Sequence, residues 1–288
     1  MGKIIVIADI KDSCVATPRG LQLAHQLGHS VEVVAFTHVP MGRLKISAAE
    51  QKTMKKRLLS LRELAVQARI DKYKHPDQKV SLKVVWEKDI HPWVVKRCQK
   101  PCEMVVKTGH RTESLIYTST DWLLLRECPV PILIVAEKKW SRVKPVLAAL
   151  DLGSSVKEKK KLNHQVLANA KMIATTLKTE LQIICAIEIP ALLADLDLVD
   201  PAAYVKDAKE SMQPAIRELA AAYDIPERAF RIKRGPVEKV ITSDAAKLRA
   251  QLVVMGTVGR KGVKARLLGN TAEAVLRHMK TDVLAIKL

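Results

Sequence analysis

Short apolar runs alternate along this chain with longer amphipathic stretches, and the whole alternation occurs twice. Lys3 to Asp9 reads as a buried strand that ends at an acid, followed by a helix from Ala16 to Leu27 with Gly28 as its stop. Val31 to Val39 predicts a second strand, closed by Pro40, and Ser47 to Ile70 a long helix. On that helix Leu58, Leu61, Ala65 and Ala68 repeat on one face, while Lys55, Lys56, Arg57 and Arg69 lie elsewhere. A polar loop over Lys72 to Gln78 leads to an alternating strand, Val80 to Trp86, and then to a helix over Asp89 to Lys100 with Pro92 in its first turn. Glu103 to Lys107, Thr120 to Glu127 and Pro131 to Ala136 read as strand, short helix and strand.

The second half runs through the same order. Pro145 to Asp151 matches the first strand, which sets Asp151 against Asp9, and Val156 to Leu177 is a long helix. Leu181 to Ile189 is the next strand, with Ile189-Pro190 against Val39-Pro40. Ala202 to Tyr223 is helical, with Ala208, Met212, Ala215, Leu219 and Ala222 on one stripe; Arg231 to Arg234 is the third strand, and Gly235-Pro236 turns into a helix ending near Arg249. Leu252 to Met255 is an apolar run of the kind buried on both faces, and Asp282 to Lys287 closes the chain. Thr120, Leu125, Arg126 and Leu133 fall on Thr271, Leu276, Arg277 and Leu284 at a constant shift of 151 positions, the mark of a duplication. Strands alternating with helices predict an α/β fold: two tandem, doubly wound parallel sheets, in domains 1–139 and 140–288 with the seam at Glu137 to Ser141.

The halves part company after Met255. Gly256 and Gly259 follow that strand at once, Gly269-Asn270-Thr271 comes next, and Ala272 to His278 is good helix-forming sequence for which Asn270 or Thr271 is a plausible N-cap. A strand, a glycine loop and a helix start gather backbone N–H groups and the positive end of a helix dipole, which is how backbone holds phosphate. A Cβ at Gly256, Gly259 or Gly269 would keep an anion from those amides. The spacing is G-x2-G-x9-G-N-T, neither a dinucleotide fingerprint nor a Walker loop. The first half has Thr108 in place of Gly256, Arg111 near the place of Gly259 and Thr118 in place of Gly269. It keeps the strand and the helix without the glycines.

That spacing resembles the nucleotide-binding signature of the universal stress protein family, G-x2-G-x9-G followed by a small polar residue. The words G-T-V-G-R-K-G and L-L-G-N-T-A-E-A-V are similar to those of tandem members, and K-T-G-H-R-T-E-S-L-I-Y-T-S-T-D-W-L-L-L-R-E-C-P-V-P resembles their degenerate first domain. The resemblance spans essentially the whole chain. It implies Rossmann-like sheets, of the adenine nucleotide alpha hydrolase type, with strand order 3-2-1-4-5 in each half, and halves packed as a pseudo-dimer through strands Ile132–Val135 and Val283–Ile286, with a homodimer as a further option. It also implies a nucleotide, ATP with Mg²⁺ or another, at the switch point of the second half. Carried over position by position, Asp151 and Ile189 would meet the adenosine end. Gly256, Gly259 and Arg260 would meet the ribose and phosphates, and Gly269, Asn270 and Thr271 the phosphates. The family more often has Ser where Asn270 stands, and an amide can still donate there. Asp9 and Val39 hold the equivalent places in the first half, where no triphosphate is expected.

Composition narrows the function classes. The net charge of +19 divides as +10 and +9 between the halves, so there is no basic tail, and 3% aromatic residues argue against a stacking platform for single strands. A nucleic-acid partner is therefore not expected. No apolar run approaches a membrane span, and the first residues read as a strand and not a signal peptide, which with the cysteines points to the cytoplasm. Those cysteines, at 14, 98, 102, 128 and 185, are odd in number; C-x3-C is poor zinc spacing, and buried thiols are the expectation. No G-x-S-x-G, H-E-x-x-H or catalytic acid–base pair is legible, so neither an enzyme nor a metal centre is expected. The reading is a nucleotide-binding stress sensor. Slow ATP hydrolysis, a nucleic-acid-associated basic protein, and a nucleotide conjugate or hydrophobic ligand in the same pocket stay open beside it.

Overall fold

The computed structural model describes residues 2–10, 15–43, 45–109, 120–136, 140–141, 143–190, 192, 198–257 and 269–288. The chain divides into two compact units, Met1–Ala136 and Glu137–Leu288. In the first, strands β1 (Lys3–Ala8), β2 (Ser30–Thr37), β3 (Val80–Trp86), β4 (Met104–Thr108) and β5 (Ile132–Val135) lie in the order β3-β2-β1-β4-β5. In the second, β6 (Val146–Ala149), β7 (Leu181–Ile187), β8 (Phe230–Arg234), β9 (Leu252–Gly256) and β10 (Asp282–Ile286) lie in the order β8-β7-β6-β9-β10. The pairs recorded within each unit are parallel, and both orders are the 3-2-1-4-5 arrangement expected. The central strands carry continuous apolar runs because both faces are covered: Ile4 to Val6 and Leu252 to Val254 are fully buried.

The first unit has helices α1 (Ala16–Gln26), α2 (Ala48–Tyr73), α3 (Ile90–Arg97) and α4 (Thr120–Glu127); the second has α5 (Lys157–Leu177), α6 (Pro201–Tyr223), α7 (Val237–Lys247) and α8 (Asn270–His278). Their ends follow from capping chemistry. Ser47 and Glu50 form a capping box at α2, and the Asp200 carboxylate accepts the Ala203 N–H at 2.7 Å at the start of α6. Gly28 takes φ +67° just past α1, a left-handed turn that glycine adopts without strain. Among the described residues no helix is long and apolar enough to cross a membrane.

One expected helix face is wrong, and a second fails only at its far end. On α2 the residues turned to the sheet are Val66 and Ile70, while Leu61 is 54% exposed and Ala65 and Ala68 are exposed. The buried stripe lies roughly a third of a turn from the expected one. Arg62 orients it: its guanidinium donates to the Ala8 and Asp9 carbonyls at 3.0 and 2.7 Å, which no count of apolar residues anticipates. On α6, Met212 and Leu219 are buried as expected, but Ile216 and Ala220 complete the face and Ala222 is exposed. The stripe from Ala208 to Ala222 repeats every 3.5 residues, whereas a straight helix turns every 3.6, so its far end drifts by about 40° off the core.

Candidate functional site

In the second unit the chain leaves β6 toward β7 on one side, and β9 lies on the other, so a crevice opens at the carboxyl ends of β6 and β9. A cavity of about 540 Å³ occupies this place. Its floor is apolar, with Leu162 and Val166 from α5, Ile241 from α7 and Met255 from β9. Its polar members are Asp151, Lys159, Asn163, Asn270 and Thr271. That mix, an apolar bed with a few convergent polar groups, is the ordinary make-up of a small-molecule site.

The start of α8 supplies one wall. Gly269 is the N-cap, with φ −65° and ψ 141°, so the helix begins earlier than a cap at Asn270 or Thr271 would allow. Glycine is tolerated there because it leaves the first amides open to other acceptors. The first backbone bond of the helix runs from the Glu273 N–H to the Gly269 carbonyl at 3.0 Å. The amides of Asn270, Thr271 and Ala272 precede it and have no acceptor within the helix, and all three residues line the cavity. Thr257 fixes how the chain leaves β9, through its N–H (2.7 Å) and hydroxyl (3.1 Å) to the Ile286 carbonyl.

Asp151 is held from α5. The Asn163 side chain accepts the Asp151 N–H at 3.0 Å and donates to the Asp151 carbonyl at 2.7 Å. The Asp151 carboxylate, 53% exposed, pairs with Lys159 at 2.8 Å. A solvated pair of this kind contributes little stability, so the carboxylate is available to a ligand. Neither Asn163 nor Lys159 was singled out from sequence. Asn163 did leave a signal: it is a polar residue, 8% exposed, on a stripe otherwise made of Leu162, Val166 and Leu167.

Of the expected site residues, the cavity brings together Asp151, Gly256, Gly269, Asn270 and Thr271. Ile189 is half-buried beyond the end of β7 and does not line it; Ala186 is the β7 residue in the wall. Gly259 and Arg260 lie outside the described residues, as do Lys261, Lys264 and Arg266. Gly256 has a role that phosphate does not require. A Cβ there would come within 2.5 Å of Leu162 Cδ2 and 2.8 Å of its Cγ, so this glycine lets β9 and α5 approach. A second depression, of about 310 Å³, lies at the amino end of β7 between α5 and residues 225–229, away from the glycine turn and the α8 start.

The first unit treats the equivalent places differently. Thr108, which stands where Gly256 does, accepts the Ala16 N–H at 3.1 Å through its hydroxyl and so caps α1. Asp121, in the first turn of α4, pairs with buried Lys107 at 2.6 Å. By the shift of 151 positions Asp121 corresponds to Ala272. A carboxylate of the chain thus stands at the positive end of α4, where α8 offers open amides. His110, Arg111 and Thr112 lie outside the described residues.

Known proteins agree with this architecture. Residues 143–287 match the model of the universal stress protein family. Universal stress protein E of Salmonella typhi and of Escherichia coli K12 are each 28% identical over 295 residues, covering 99% of this chain and 93% of those proteins. A solved structure from Pseudomonas aeruginosa UCBPP-PA14, assigned provisionally to the same family, has TM-score 0.69 at 25% identity and covers 99% of this chain and 92% of its own. A universal stress protein from Archaeoglobus fulgidus has the same fold, with TM-score 0.66 at 18% identity over 99% of this chain and 98% of its own. Duplicated parallel sheets, a cavity where the end of β9 meets the start of α8 in the second, and a family match over half of the sequence lead to one conclusion: the chain belongs to the universal stress protein family.

Proposed function

We propose that the second unit binds one nucleotide per chain, ATP with Mg²⁺ being the expected form, and that occupancy biases the protein's association with partners under stress. The observation that carries this reading is the meeting, in one cavity, of the α8 amides with an acid held from α5. Phosphates would lie against the amides of Asn270, Thr271 and Ala272, where the helix dipole favours negative charge. The Asp151 carboxylate would accept from the hydroxyls or base of the nucleoside, and the apolar floor at Leu162, Val166 and Ile241 would take its flat faces. Gly259 and Arg260 would close the loop over ribose and phosphate, in keeping with the family signature. Four or five charge-assisted bonds, less the cost of ordering, correspond to roughly micromolar affinity.

The reading is one of binding and not of turnover. Phosphoryl transfer needs a positioned base and a charge clamp beside the phosphates. Lys159 and Asp151 are engaged with each other at the rim, which suits orientation of a ligand better than proton transfer. The first unit would stay without nucleotide, since the Asp121 carboxylate in the first turn of α4 would meet a phosphate there with like charge.

The test is native mass spectrometry of freshly purified protein with identification of the released molecule, followed by titration with ATP and Mg²⁺. One nucleotide per chain supports the reading. A protein that arrives empty and takes up none overturns it, and a released molecule without phosphate would move the function to another ligand class.

A further inference from the structure

Much of the apolar stripe that periodicity marks on α2 faces water. Met54, Leu61, Leu64, Ala65 and Ala68 are all exposed, Leu64 at 66%. They lie within about 100° of one another around the helix. A single exposed leucine is ordinary, but five apolar side chains along one face make a patch. The fold does not demand it. The sheet side of α2 is served by Val66, Ile70 and the Arg62 guanidinium. In the second unit α6 takes the same place, between the second strand and the third, and no large apolar side chain along it is exposed. Its exposed positions include Asp207, Glu210, Arg217 and Glu218.

We infer that this face of α2 is a contact between two copies of the chain, paired antiparallel about a two-fold axis at Leu64. The charges choose both partner and register. Arg57 stands seven residues before Leu64 and Asp71 seven after it, so all three share one side of the helix. Each charge then lies about two turns, roughly 10 Å, from the leucine. A two-fold axis there lays Leu64 on Leu64 and Arg57 of each copy on Asp71 of the other, a self-complementary contact. A parallel pair would set Arg57 on Arg57 and Asp71 on Asp71, with like charges facing. Among the described residues Arg57 has no ion-pair partner, and it is exposed. Asp71 is held by Lys74 at 2.8 Å and Gln67 at 3.0 Å on its own helix, and an ionised carboxylate has acceptor sites left for a further donor.

Other basic residues of α2 are drawn off this face, which limits repulsion between copies. Lys55 lies over the Trp86 ring, 5.2 Å from its centroid, and Arg62 and Arg69 both donate to the Asp9 carbonyl. Ala65 and Ala68 are small enough to let two helix backbones come close beside the leucines. The contact is narrow: one helix of 26 residues from each copy, against about 800 Å² per partner in a standard interface. It therefore gives a reversible dimer whose population follows concentration. The nucleotide cavity is lined wholly by the second unit, so the contact does not depend on it.

Sedimentation velocity on the full-length protein tests this, at about 0.15 M salt, where repulsion between two chains of charge +19 is screened beyond about 8 Å. The expected result is a sedimentation coefficient that climbs with concentration from monomer toward dimer, with or without ATP. Leu61→Glu combined with Leu64→Glu, both at exposed positions, should hold the folded protein monomeric over the same range. Arg57→Glu or Asp71→Arg alone should weaken the dimer about tenfold, because each sets like charges together at both ends, and the two combined should restore it. Leu64→Cys should yield a disulfide-linked dimer on mild oxidation. Arg57→Cys should not, since the two sites would lie about 21 Å apart along the paired helices. Wild-type protein that stays monomeric, or a dimer that survives the leucine substitutions, overturns the inference. So does a charge swap that fails to rescue, or cross-linking at position 57 and not at 64.

Discussion

The side-chain amide of Asn163 grips both backbone polar groups of Asp151, accepting its N–H at 3.0 Å and donating to its carbonyl at 2.7 Å. This fixes the main chain where β6 ends, so the acid at the cavity rim is placed by a helix residue twelve positions later. Asn163→Leu keeps the count of side-chain heavy atoms and their branching but leaves two backbone groups without their partner. It should lower stability by about 2 kcal/mol in urea unfolding. Isothermal titration should show weaker ATP binding in the variant, since Asp151 would lose its mooring.

The first unit offers a recipe for closing the cradle. Lys107 and Asp121 correspond to Met255 and Ala272, both of which line the cavity. The double variant Met255→Lys, Ala272→Asp should transplant the internal pair and put a carboxylate at the α8 amides. We expect a loss of ATP affinity of at least about a hundredfold, as like charge and lost space act together. Circular dichroism would verify that the fold is kept. Unchanged binding in a folded double variant would remove the α8 start from the site.

Gly256 makes a different prediction from the other cradle residues. Because its missing Cβ leaves room for Leu162, Gly256→Ala should destabilise the protein by about 1–3 kcal/mol through overpacking, whether or not a nucleotide is present. Adding Leu162→Ala should recover part of that loss, a non-additivity that a double-mutant cycle in denaturant reads directly. Two additive losses would mean that the contact is not the cause.

Asp244 of α7 is fully buried and lies against Arg231 and Lys233 of β8. Burial alone would raise its carboxyl, but the hydrogen bonds from Lys233 and Arg231 outweigh it and hold the group below the usual range. Folding therefore favours the ionised form, and the unfolded chain binds the proton more readily. The stabilisation is present above the ordinary carboxylate range and fades as the pH falls through the lower, folded value. Thermal melts from neutral to acid pH should show this decline, and Asp244→Asn should start less stable and fall less steeply.

Much of this was legible in the sequence because it rests on local chemistry. Apolar runs gave the strands, Gly28 gave a helix end, and the spacing of Gly256 and Gly269 marked a strand exit and a helix start that do meet in one cavity. What escaped depends on contacts between distant residues. The inward face of α2 is chosen by Arg62 reaching the end of β1, and Asn163 acquires its role only when α5 crosses Asp151. Periodicity ranks residues by greasiness, and these two act by polarity.

The Lys107–Asp121 pair has a consequence for how the two units would answer a ligand. A helix whose charge is met by its own side chains owes nothing to the metabolite pool, so the first unit should be equally firm in a fed and a depleted cell. At the α8 start the amides of Asn270, Thr271 and Ala272 have no acceptor within the helix, and a ligand that binds only the folded form adds stability in step with its concentration. Under the proposed nucleotide binding, the duplication would join a constant half to a responsive one, and the contrast between them would become a gauge of nucleotide supply built into a single polypeptide.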